Sequence, residues 1–211
     1  FANPERYQNE EDMYIEPSEL NEPSTNRTTV NVTQDTIPGC VTRDDYLKKI
    51  EILNKKQREF LYHVLHTSRT SEDPYHIFLT GGAGVGKSVL IDSLYETLQR
   101  YYIHNAKDGE NLDMQRILLM AQTGTAAYNI QGKTWHSALK INVGKRHQPL
   151  SRSTADKYYM EQFRHLKTII IDEISLIGND AFNDTDKRLQ TIMHCDKPFG
   201  GLNVILSLIH I

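Results

Sequence analysis

An α/β fold, with a parallel sheet flanked by helices, is predicted by three stretches and by what lies between them. Residues 75–80 (YHIFLT), 116–121 (RILLMA) and 167–172 (KTIIID) are short, apolar and rich in β-branched or aromatic side chains. That is the composition of strands covered on both faces. Between them run helical patterns, clearest in residues 88–102, where Leu90, Ile91, Leu94, Tyr95 and Leu98 recur at helical spacing. Alternating strands and helices form a parallel sheet whose functional groups gather at the C-terminal ends of the strands.

The ends of two strands carry the chemistry. Gly81, Gly82, Ala83, Gly84, Val85, Gly86, Lys87 and Ser88 read GGAGVGKS, between the first strand and its helix. This is the G-x-x-x-x-G-K-S pattern of a nucleoside-triphosphate-binding loop (P-loop). Its glycines turn backbone N–H groups onto phosphate oxygens, and the following helix adds the positive end of its dipole. Lys87 is expected at the β- and γ-phosphates of the nucleotide and Ser88 at Mg²⁺. The third strand ends in Asp172 and Glu173. Downstream of such a loop, Asp172 is expected in the Mg²⁺ shell, with Glu173 orienting or deprotonating the attacking water. A merely acidic strand end is the alternative.

Taken in order, the chain opens with residues 1–41, expected to be an acidic, disordered tail. Residues 1–40 hold eight acids against Arg6 and Arg27, so the net charge of −3 divides into −6 there and +3 beyond. A mildly basic body is compatible with a nucleic-acid partner without requiring one. Thr42–Asp45 (TRDD) starts a helix, and Asn54 caps another over residues 55–66 with Phe60, Leu61, Val64 and Leu65 inward. Gln57, near that start, carries the acceptor and donors that pair with N7 and N6 of adenine, although a solvated helix-start residue reads the same way.

After the second strand, residues 122–130 (QTGTAAYNI) place small residues and two threonine hydroxyls at a helix start, suited to a phosphate or to close packing. Trp135 offers a face for stacking a base, or fills the core. His63 and His66 lack a third metal ligand. Residues 140–157 form a basic, turn-rich insertion, the helix of residues 179–194 follows, and a fourth strand begins at 203–206 after the turn 198–201. Cys40 and Cys195 are far apart and fit reduced thiols in an intracellular protein. No apolar run is long enough for a membrane span. No signal peptide is visible, which weighs little in a chain starting at Phe1 rather than Met.

These pieces together resemble the Pif-type family of superfamily-one DNA helicases, particularly the helicase domains of Helitron-like transposable elements. The matching stretches are LNKKQREFLYHVL (53–65), FLTGGAGVGKS (78–88), AQTGTAAYNIQGKTWHSAL (121–139), FRHLKTIIIDEISLIG (163–178) and KPFGGLNVIL (197–206). The resemblance implies that residues 42–206 are a first RecA-like motor domain of the P-loop NTPase class. It implies ATP hydrolysis with Mg²⁺, driving 5′-to-3′ movement on single-stranded DNA and separation of duplex DNA. It also implies roles in DNA repair, recombination and telomere maintenance. By matching position Gln57 recognises adenine, Lys87 and Ser88 bind phosphate and metal, and Asp172 and Glu173 serve hydrolysis. Thr123, Gly124, Thr134 and His136 fall where the family contacts the DNA strand. Here Gln122 and Thr125 stand where Pro and Lys are frequent, and Trp135 where an aliphatic residue is.

No membrane partner is expected, a monomer is the expected state, and the nucleus is the expected compartment, with the mitochondrion second. The family continues past residue 206 with Gly-Asp and Gln-Leu-x-Pro segments and a second motor domain bearing an arginine finger. This sequence reads SLIHI instead. Residues 206–211 also match one frame of a sequencing adapter, so 207–211 are expected to be non-native and the sheet incomplete at its C-terminus. A non-motor nucleotide-binding remnant of a transposon protein, or another P-loop ATPase, are the competing readings.

Overall fold

The structure, a computed structural model, describes residues 37–82, 84–107, 109–141 and 149–210. The acidic tail therefore falls almost wholly outside the described residues, as do Ala83 and the basic Lys145, Arg146 and His147. The chain divides into two compact units. One comprises the described residues up to Thr70 together with Ser93–Leu112; the other comprises Ser71–Asp92 and the described residues from Asp113 onward.

The first unit is helical. Helix α1 spans Arg43–Glu51, with Thr42 as N-cap accepting the Asp45 amide at 3.3 Å, as the TRDD signature predicts. Helix α2 spans Lys55–Thr70 and buries Leu61, Val64 and Leu65 completely; Phe60 is half-buried. It outruns the expected end at residue 66 because Thr67, Ser68 and Thr70 bond back to the carbonyls of His63, Val64 and His66. Such back-bonding lets hydroxyl residues stay inside a helix instead of ending it.

Helix α3, Lys87–His104, begins in one unit and ends in the other. In the first unit its Glu96 is nearly buried and accepts the Val41 amide at 3.2 Å, while Arg100 donates to the Val41 carbonyl at 2.6 Å. Glu96 and Arg100 also pair with each other at 3.6 Å, and the guanidinium lies 4.6 Å above the Tyr46 ring. Both backbone groups of Val41 are thus held by one helix face, which anchors the chain just ahead of α1.

The second unit is a five-stranded, fully parallel sheet: β1 (His76–Gly82), β2 (Ile117–Ala121), β3 (Lys133–Thr134), β4 (Thr168–Asp172) and β5 (Asn203–His210), in the order β1-β5-β4-β2-β3. All residues of β2 and β4 are buried, in keeping with their unbroken apolar sequence. The sheet has one strand more than the three or four expected, the two-residue β3, too short to leave a period-two pattern. β5 continues to His210, paired along β1 as far as Gly82.

Helices α4 (Gly124–Asn129), α5 (Trp135–Leu139), α6 (Arg152–Tyr158) and α7 (Asn179–Met193) complete this unit. Its core includes Met120, Trp135, Leu139, Ile169, Ile171 and Leu189. Helix α6 corrects the turn-rich expectation for the last part of residues 140–157, of which 142–148 lie outside the described residues. Ser151 caps its start by accepting the Thr154 amide at 3.3 Å, and a π-turn over Tyr159–Phe163 continues it. The basic residues had masked a cap followed by the buried Ala155, Tyr158 and Phe163.

Candidate functional site

Strand β1 runs two residues further than its apolar pattern, because Gly81 and Gly82 still pair with β5 before the loop begins. Gly84 and Gly86 have φ of 71° and 81°, a left-handed backbone that side chains resist. The Leu90 amide then donates to the Gly86 carbonyl at 3.1 Å, which starts α3 directly at Lys87. The Lys87 ammonium turns back on the loop, donating to the Gly81 carbonyl at 2.8 Å and to the Gly82 carbonyl. Ser88 and Val85 are exposed beside it. Glycines in left-handed geometry, the N-terminus of α3 and an ammonium resting on neutral carbonyls form a donor set suited to anionic oxygens.

Asp172, the last residue of β4, is 7% exposed. Glu173 takes the left-handed conformation, φ 55° and ψ 45°, and its amide donates to Asp172 Oδ1 at 3.0 Å. That turn stops the strand, and of the two neighbouring acids Asp172 is sheltered and Glu173 half-exposed. Ile171 is level with Leu206 of β5, and Leu206 with Phe78 of β1. The strand ending in Asp172 and the strand leading into the loop are therefore parallel and separated by one strand, about 10 Å at ordinary strand spacing.

Further along the same edge, Ala121 pairs with Thr134, bringing the ends of β2 and β3 together. Thr123 caps α4 by accepting the Ala126 amide at 3.1 Å, and Thr134 caps α5 by accepting the Ser137 amide at 3.4 Å. Gly124 faces open space, and His136 is half-buried with its ring 4.6 Å from that of Trp135. Trp135 itself is 3% exposed and its indole N–H donates to Thr185 Oγ1. The base-stacking reading of Trp135 is thereby corrected: its faces belong to the core.

Gln57 lies in the helical unit, in a reciprocal capping box. Its Oε1 accepts the Asn54 amide at 2.9 Å, and its own amide donates to Asn54 Oδ1 at 3.0 Å. Burial and the neighbouring His66 lower the His63 pKa, and no cluster of three metal-ligating residues occurs among the described residues.

Two features escaped sequence reasoning. Gly132 is needed because a Cβ there would sit 2.5 Å from the Leu119 carbonyl oxygen, so β3 can lie against β2 only with glycine at that point. Asp186 Oδ1 accepts the Phe199 amide at 2.6 Å, fixing the turn Pro198–Gly201 whose Phe199 is left-handed at φ 51°. Gly200 in the same turn has φ 66°, and a Cβ there would meet the Leu189 carbonyl oxygen at 2.7 Å. The PFGG string was the available signal, and only the packing explains it.

A family model described as PIF1-like helicase matches residues 52–207. The ATP-dependent DNA helicase PIF1 of Emericella nidulans is 35% identical over 133 residues, which are 62% of this chain and 17% of that protein. The ATP-dependent DNA helicase Pif1 of Bdellovibrio bacteriovorus is 35% identical over 132 residues, 62% of this chain and 27% of that one. Among solved structures, Pif1 helicase from Candida albicans superposes with a TM-score of 0.58 at 27% identity, covering 74% of this chain and 32% of that chain. Pif1 from Bacteroides, in complex with ADP-AlF3 and single-stranded DNA, gives 0.52 at 26% identity, covering 75% and 32%. This chain thus spans less than a third of the length of each of these relatives. By the breadth of the family match, the chain belongs to the PIF1-like helicase family.

Proposed function

We propose that the sheet unit is the ATP-hydrolysing part of a DNA helicase that, in the whole protein, moves 5′ to 3′ along single-stranded DNA and separates duplex DNA. The observation that carries this reading is the presence of two strand ends on one sheet edge, one strand apart: β1 running into the glycine loop and Lys87, and β4 ending in Asp172 and Glu173. The Bacteroides relative solved with a nucleotide analogue and single-stranded DNA supports it.

In this reading Lys87 leaves the Gly81 and Gly82 carbonyls for the β- and γ-phosphates of ATP, exchanging neutral acceptors for charged ones, which hold an ammonium more strongly. The loop amides, with Gly84 and Gly86 left-handed, receive the remaining phosphate oxygens. Ser88 and the sheltered Asp172 are the residues that hold Mg²⁺, which when bound offsets the charge developing on the transferred phosphoryl group. Glu173, half-exposed next to Asp172, orients or deprotonates the attacking water. Gln57 reads adenine. Thr123, Gly124, Thr134 and His136 contact the single strand where the ends of β2 and β3 meet. Repair, recombination and telomere maintenance are the cellular roles this activity fits.

The test is Glu173→Gln, measured as ATP binding and ATP hydrolysis with and without single-stranded DNA. Binding stays near the native value while turnover falls about 10²–10⁴-fold, the range for loss of a general base. Equal loss of binding and turnover would place both acids on the metal, and unchanged turnover would remove Glu173 from the chemistry.

A further inference from the structure

Tyr128 is 84% exposed, more than any other large apolar or aromatic side chain among the described residues. It stands on α4, whose attachment to the sheet is made by the buried Ala126, Ala127 and Ile130. The ring therefore does nothing to hold the helix down. A single exposed aromatic residue is ordinary on a protein surface, so its neighbours decide what it can do.

Residues three and four apart share a helix face. On α4 those partners are Thr125 and Gly124, both exposed, and Gly124 faces open space. Thr123 is exposed just ahead of the same helix, and Thr134 is brought to the same sheet edge by the pairing of Ala121 with Thr134. Lys133 is exposed one residue before Thr134. Hydroxyls, a cation and an open aromatic face within one β2–α4–β3 segment match the two halves of a nucleotide. The polar groups suit phosphate and sugar, and the ring suits the π-face of a base. Trp135, the aromatic residue that sequence reasoning offered for this task, is buried and leaves the role open.

We propose that Tyr128 is a stacking platform for a base of single-stranded DNA passing over α4. The proposal rests on the strand-contacting role assigned above to Thr123, Gly124 and Thr134, and adds a contact to the bases where those residues address the backbone. Stacking of this kind tolerates any sequence, because every base has a π-face. Its loss leaves the salt dependence of binding intact, because that dependence counts phosphate contacts.

The test uses the 211-residue chain and a fluorescein-labelled oligothymidylate, read by fluorescence anisotropy at several salt concentrations. A second oligomer of equal length carries abasic sites. Tyr128→Ala is expected to weaken binding to the oligothymidylate about 5- to 150-fold, the effect of losing one base–aromatic contact. Its salt slope stays native, its preference for the base-bearing over the abasic strand shrinks, and Tyr128→Phe retains native affinity. Equal affinity of Tyr128→Ala and the native chain would overturn the stacking role while leaving the functional reading in place. Loss in Tyr128→Phe as large as in Tyr128→Ala would also overturn it, since a hydroxyl contact would then be responsible. A native chain that does not bind the oligothymidylate at all would defeat the strand-contacting reading itself, and the proposal with it.

Discussion

At Gln57 one side-chain amide faces two demands. The capping box uses its carbonyl oxygen on the Asn54 amide, while the proposed adenine recognition needs both the oxygen and the NH₂ group. Glutamate also serves at this position of a capping box, so Gln57→Glu separates the two. The cap survives and the unfolding midpoint stays put, but the donor to adenine N7 is lost. A bidentate amide–adenine pair is worth about 1–3 kcal/mol in DNA readout. The ratio of ATP to GTP use should therefore fall about 5- to 150-fold, measured as kcat/KM for each nucleotide. An unchanged ratio with unchanged stability would leave Gln57 as a cap alone. Sequence reasoning reached this residue through the acceptor and donors of its amide near a helix start. It could not choose between the roles, because the choice depends on a ligand.

At the scale of elements, what was legible followed from period and what was missed followed from contact. The strands β2 and β4 were visible because they are buried on both faces, and α1 because Thr42 and Asp45 signal its start. β3 was invisible because two residues carry no period; its place is set by Gly132 packing on the Leu119 carbonyl. Equally hidden was the grip of α3 on Val41, which joins residues 55 positions apart. That grip has a chemical consequence at Cys40. Burial, with the Glu96 carboxylate beside it, pushes the thiol pKa up from 9.0 to about 12. The folded chain binds this proton more tightly than the unfolded chain does. The resulting stability is present in full below about pH 9 and is lost as pH rises toward about 12. Iodoacetamide reacts with thiolate, whose fraction falls but whose nucleophilicity rises as the pKa rises, so at pH 8 Cys40 of the folded chain should be alkylated on the order of tens of times more slowly than in urea. Mass spectrometry of the Cys40 peptide reads this directly, and similar rates in both conditions would mean that the thiol is not buried beside Glu96 as described.

For the molecule as a whole, the sheet order separates what folds the protein from what the protein does. The parallel strands place the loop, Asp172 and the threonine caps at one edge, while Trp135, Met120, Ile169 and Leu189 pack as core. The α/β class and both strand-end motifs were legible from local sequence. The order β1-β5-β4-β2-β3 was not, because it is decided by which strands pair across long separations. The division predicts opposite behaviour from two substitutions followed by Trp135 fluorescence during thermal unfolding. Gly132→Ala forces a Cβ toward the Leu119 carbonyl and should destabilise by about 1–3 kcal/mol, the usual cost of overpacking. The Trp135 transition then moves to lower temperature, yet Mg-ATP still raises it. Lys87→Ala removes only hydrogen bonds to the loop's own carbonyls, so the midpoint without nucleotide should stay near native. A ligand present at a hundred times its Kd stabilises the folded state by about 2.7 kcal/mol, and this variant should lose that rise at the concentration that saturates the native chain. An undiminished rise in Lys87→Ala would mean that the nucleotide is held without the ammonium, and the assignment of the glycine loop as the phosphate site would fail.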